Sequence, residues 1–107
     1  MFTFDFDTLV NYYNFPNPDY FDFYGDTLIY GNYGGQNYSA GEIGGTITQT
    51  SEDPDPVDDY DEAFYDHDWV AQTSSDPEVL LQSHIEVVQD VTSLLYNAFS
   101  SFISDWW

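Results

Sequence analysis

Between residues 57 and 99 the apolar positions recur at three- and four-residue spacing, the signature of one face of an α-helix. Val57, Tyr60, Phe64, His67 and Ala71 make one such stripe, which predicts a helix over 57–72 with His67 on its inward side. Pro56 stands at its start, and the acids that follow suit the positive end of a helix dipole. Asp58, Asp59, Glu62 and Asp66 fall largely outside the stripe. A turn at Ser74-Ser75-Asp76 then leads into a second helix over 77–99, with Asp76 as N-cap and Pro77 at the first helical position. Leu80, Leu81, His84, Val87, Val88, Val91, Leu94, Leu95 and Ala98 form its apolar face. So short a connection predicts two antiparallel neighbours.

Upstream the pattern changes. Residues 1–29 alternate aromatic and acidic positions (Phe2, Phe4, Phe6, then Asp19 to Tyr24), which predicts an irregular or short-strand arm. Residues 30–56 are rich in Gly, Asn, Ser and Thr and read as loop, with one small hairpin around Glu42 to Thr48. The expected architecture is therefore mainly α, divided into an arm (1–29), a core (30–99) and an apolar, Trp-ending tail (100–107) that is either docked or interfacial.

Composition narrows this picture. At 107 residues and 42% apolar content the chain suffices for one small core, and with 21% aromatics much of that core must be Tyr, Phe and Trp. Without cysteine it has no disulfide and no thiolate chemistry. Twenty Asp and Glu stand against no Lys or Arg, a formal charge of −20, so only a protonated histidine can pair with a carboxylate side chain. Three settings suit such a balance: concentrated salt, as for acidic halophilic proteins; binding of multivalent cations; or imitation of nucleic acid by a decoy. Direct binding to nucleic acid or to an anionic bilayer is disfavoured, because nothing is present to neutralise phosphates. No basic n-region or long apolar run marks a signal peptide or a membrane span, so the chain reads as soluble.

Two segments carry candidate chemistry. The only histidines, His67 and His84, fall on the apolar faces of the two helices, at similar heights across an antiparallel pair. Two core histidines with ordinary hydrogen bonds would give the same pattern. Asp68 follows His67 by about 100° round the helix, so a carboxylate there can hold a hard cation without blocking the imidazole. Upstream, Gly34 and Gly35 permit the tight turns that aim backbone carbonyls at a calcium ion, and Asn37 tolerates a left-handed conformation. A phosphate-binding P-loop is excluded, because no lysine exists to complete it. His67, His84 and Asp68 also contain the donor types of a transition-metal site.

Taken together, Tyr30-Gly31-Asn32-Tyr33-Gly34-Gly35-Gln36-Asn37-Tyr38, Asp55-Pro56-Val57-Asp58 and Asp61…His67-Asp68 resemble the phospholipase A2 family, and most of all its short, disulfide-poor microbial and viral capsid branches. That family pairs a Y-G-x-Y-x-G-x-G loop with a helix carrying D-x-x-x-x-x-H-D. The resemblance spans roughly residues 30–95. It implies a calcium-type loop, with the carbonyls of Tyr33, Gly35 and Asn37 and the carboxylate of Asp68 as Ca2+ ligands. It also implies His67 as the base that activates water against the sn-2 ester of a phospholipid, at a membrane or lipid interface.

Three departures stand out. Asn32 and Gly34 occupy the loop's cysteine positions, Asn37 replaces its last glycine, and no aspartate is placed on the second helix to orient the imidazole. Asp90 lies on the wet face and roughly 9 Å further along by helical rise. His84 is therefore expected as the partner that fixes the tautomer of His67, though it stabilises an imidazolium less well than a carboxylate does. The reading that follows is a calcium-dependent lipid-degrading hydrolase suited to high salt and of viral, virion-associated or extracellular setting, or an inactive, binding-only form of it. The alternative is an acidic DNA-mimic decoy. Against the decoy, nine of the twenty acids crowd into residues 52–68.

Overall fold

A computed structural model describes residues 5–106; Phe2, Phe4 and Trp107 lie outside the described residues. The chain folds as three helices and two small antiparallel sheets, about 53% helical. The order is α1 (Phe6–Asn11), a single 3-10 turn (Pro18–Tyr20), β1 (Phe21–Tyr24), β2 (Thr27–Tyr30), β3 (Tyr38–Ser39), β4 (Glu42–Ile43), α2 (Asp59–Thr73) and α3 (Pro77–Trp106).

The amino-terminal arm departs from the expected alternation of strands. Asp5 accepts a hydrogen bond from Thr8 N at 2.7 Å and so caps a short helix that contains Phe6. Leu9 and Tyr13 turn into the core, while Phe6 and Tyr12 stay exposed. The period-two pattern does mark a hairpin further on: β1 pairs with β2, with Phe21 opposite Tyr30 and Tyr24 opposite Thr27. The second hairpin, β3 with β4, lies a few residues earlier than expected and turns through Ala40-Gly41.

The two long helices are antiparallel, as the short connection requires. Val70 faces Val79 and Gln82 near the turn, whereas Asp59 and Ala63 face Leu94 and Asn97 at the far end. The bounds differ at the ends. Asp58 caps α2 by accepting from Asp61 N at 2.8 Å, so this helix starts at Asp59 rather than at Val57, and α3 continues through the tail to Trp106. Asp76 does cap α3, accepting from Glu78 N at 2.9 Å.

The inward stripes need correction. On α2, Tyr60, Asp61 and Ala63 are buried, but Ala71 is exposed and Val57 lies outside the helix and exposed. On α3 only Ser83 and Ala98 are buried, and Leu81, Val88 and Leu95 are exposed, as is His84. The physical reason is that α2 is contacted from two sides, by the loop layer and by α3, whereas among the described residues α3 packs along most of its length on α2 alone. The radius of gyration, 15.4 Å, exceeds the ~13 Å of a compact chain of this size, because α3 extends as a rod.

Candidate functional site

The loop between β2 and β3 is tied to α2 by one carboxylate. Asp61 is fully buried and accepts three backbone N–H groups: Asn32 at 3.0 Å, Tyr33 at 2.9 Å and Val57 at 3.0 Å. Gly31 makes this approach possible: its φ is +60°, and a Cβ there would lie 2.5 Å from the Asp61 carboxyl carbon. Gly34 lies against the Phe64 ring one turn further along the helix, where a Cβ would come within 2.8 Å. Tyr33 is fully buried, its ring edge-on to Tyr65 at 4.8 Å, and its hydroxyl donates to the Pro54 carbonyl. Finally Ser39 of β3 donates to Asp68 at 2.9 Å. Asp61, Phe64, Tyr65 and Asp68 are thus successive points at which the loop layer meets α2, and Gln72 adds another through the Ile47 backbone.

The histidine faces the other way, about 100° round the helix, toward α3. His67 Nδ1 lies 2.8 Å from Ser83 Oγ, and its ring stands 4.8 Å from the His84 ring at a 49° tilt. The histidines meet as expected, but the hydrogen-bond partner of Nδ1 is Ser83. The sequence offers one signal for this, a lone small hydroxyl one residue before His84 on a face otherwise made of Leu and Val. His67 also lines a crevice of about 100 Å³ between the helices, shared with Asp66, Val70, Ser83, Val87 and Asp90. Asp90, placed on the wet face by its spacing, therefore borders the same crevice as the imidazole. A space of this size admits ordered water and no more than the reacting end of a larger molecule.

The electrostatics follow from burial in a chain without cations. Asp68 is pushed up to about 7 by burial, opposed by the Ser39 hydrogen bond and reinforced by the nearby Asp61 charge. Asp61 is also raised by burial, which outweighs its three N–H donors. Burial, then the neighbouring acids Glu62 and Asp90, raises Asp66. His67 is held below the usual imidazole value, first by burial and then by the charge of His84, so it is neutral at pH 7.

Asp68 and the loop share one side of α2, linked through Ser39. Asn37 has the left-handed φ of 52° that its side chain tolerates, and its carbonyl accepts from Gly44 N–H at 2.6 Å, leaving a second lone pair. Gly35 is exposed, with a φ of 151°. Among the described residues no three His, Asp or Glu side chains are grouped to hold a metal, which removes the transition-metal arrangement of His67, His84 and Asp68. The donors left on the loop side are one carboxylate and backbone oxygens, all hard, which fit a calcium-type ion in kind. No protein-family model, characterised protein or solved structure matches this chain.

Proposed function

We propose that the protein is a calcium-dependent phospholipase A2-like hydrolase acting on the sn-2 ester of phospholipids at a lipid interface, in a high-salt setting. The observation that carries this reading is the double use of α2: His67 and Asp68 are adjacent, one facing a water-sized crevice and the other facing a Gly-rich loop bound to the same helix through Asp61 and Ser39.

His67 supplies the base. With Nδ1–H donating to Ser83 Oγ, Nε2 carries the lone pair that removes a proton from water as the water oxygen attacks the ester carbonyl carbon. The proton then passes to the departing glycerol oxygen as the carbon–oxygen bond breaks. Ser83 holds the ring in one orientation, and the lowered pKa keeps it unprotonated at neutral pH. Tyr33, Gly35 and Asn37 through their carbonyls, and Asp68 through its carboxylate, are the residues that would hold Ca2+. When bound, calcium supplies Lewis-acid stabilisation of negative charge on the substrate phosphate and on the reacting ester. A dication also suits Asp68, a partly buried acid whose charged neighbour is another acid.

Release of fatty acid from a labelled phosphatidylcholine, measured with calcium or with chelator across salt concentrations, tests this reading. Activity should vanish with chelator and fall about 10²–10⁴-fold in His67→Ala. Turnover that is indifferent to both would refute it. Tight binding of a DNA-processing protein without lipid turnover would favour the decoy instead.

A further inference from the structure

α3 carries a second apolar stripe that no part of the described chain covers. Leu81, Ile85, Val88, Leu95, Phe99 and Trp106 are exposed, with Leu81, Val88 and Phe99 at 60%, 63% and 56%. Their spacing, with Thr92 filling the gap, alternates steps of four and three from Leu81 to Phe99 and reaches Trp106 one heptad later. That is a 3.5-residue repeat, the spacing that keeps a seam facing a second helix along its whole length. It lies beside the face that packs on α2, where Ser83 and Ala98 are buried, and it does not overlap that face.

We propose that this seam is where a second copy of the chain packs, α3 against α3. Three observations favour a copy over other occupants. First, the residues divide into the two sets of a heptad seam, Ile85, Thr92, Phe99 and Trp106 in one and Leu81, Val88 and Leu95 in the other, and a seam of this kind meets its like on a second helix. Second, from Leu81 to Phe99 the seam is free of charge in a chain of −20, and the acids of that span, Glu86 and Asp90, lie on the opposite side of the helix. Third, the exposed fractions correspond to roughly 700 Å² per copy, near the ~800 Å² per partner of a standard stable interface. A bilayer requires no 3.5-residue repeat and is usually met with basic flanks, which this chain lacks. His84 stands three residues after Leu81 and four before Val88, so pairing would also cover the open edge of the ring tilted against His67.

Sedimentation equilibrium on the full chain, at low and at molar salt, tests the proposal. Because the copies repel, the dimer should strengthen as salt shortens the screening length. Val88→Asp should weaken association roughly a hundredfold, while Ser93→Asp, which adds the same charge off the seam, should leave it nearly unchanged. Far-UV circular dichroism should show equal helix in both variants. A monomer under every condition, or equal loss in the two variants, would overturn the proposal. So would a monomer that binds phosphatidylcholine vesicles through Val88, since the seam would then face lipid.

Discussion

A single carboxylate holds together the two halves of the proposed site. Asp61 has no exposed surface and no cationic partner, yet three peptide N–H groups converge on it and leave its charge solvated by the backbone. Replacing it with Asn keeps the shape but points an NH2 group at one of those donors, stranding it. Asp61→Asn should lower stability by about 3 kcal/mol, measured by urea denaturation, and should loosen the loop that carries Tyr33 before it disturbs the helices. Hydrogen exchange at Asn32 and Tyr33 N–H would report that order. Nothing in the helical period flags this residue, because buried acids are rare and the stripe is defined by apolar positions. Its place in the D-x-x-x-x-x-H-D pattern, and the absence of a side chain at Gly31, are the only marks it leaves in the sequence. Ser83 is marked only as a lone small hydroxyl on an apolar face: its burial depends on how closely α2 approaches, which a single helix cannot reveal.

At the scale of elements, legibility followed length. α2 and α3 were readable because long stripes and the Ser74–Asp76 turn agree, and their pairing followed from the short connection. β3 and β4 have two residues each, too few for a period to show, so the sequence pattern places their hairpin only approximately. The alternation of Phe4, Asp5 and Phe6 suggests an extended segment, but Asp5 is the cap that makes a helix there. The β3–β4 turn also has a local fault. Ala40 and Gly41 have positive φ, 53° and 78°, as a type I′ turn requires, but alanine has no side chain to support a left-handed backbone. Asn tolerates that conformation without adding freedom to the unfolded chain. Ala40→Asn should therefore stabilise the protein by about 0.5–1 kcal/mol, seen as a melting point several degrees higher. The hairpin positions Ser39 against Asp68, so the gain should reach the site as well.

For the molecule as a whole, the dominant fact is charge without countercharge. Asp61, Asp66 and Asp68 all have pKa values raised in the fold, so the native state binds more protons than the unfolded chain across that range. The stability they contribute is complete below the unfolded carboxylate value of 3.8 and is lost as pH rises through the folded values, for Asp68 at about 7. His67 works the other way: its depressed pKa favours the fold above the ordinary imidazole value, an advantage lost as pH falls through its folded value. The raised carboxylates, Asp68 foremost, together with the general repulsion of a −20 chain, outweigh one imidazole, while Asp5 and Asp53, held low by their hydrogen bonds, stay ionised in both states over this range. In dilute buffer with chelator the melting temperature should therefore rise as pH is lowered from 8 toward 5.5, opposite to the behaviour of proteins whose acids are paired with Lys and Arg. Molar salt should raise the whole curve by screening, because the Debye length falls to roughly 3 Å. On the proposed reading calcium should act differently, lifting the alkaline end at concentrations too low to screen, since an ion held by an ionised Asp68 would favour the folded state. Asp68→Asn separates the two effects. It should flatten the slope between pH 4 and about 7 and abolish the response to calcium, while leaving the response to salt intact. A calcium response that survives this substitution would place the ion elsewhere and detach the acidic composition from the proposed catalytic loop.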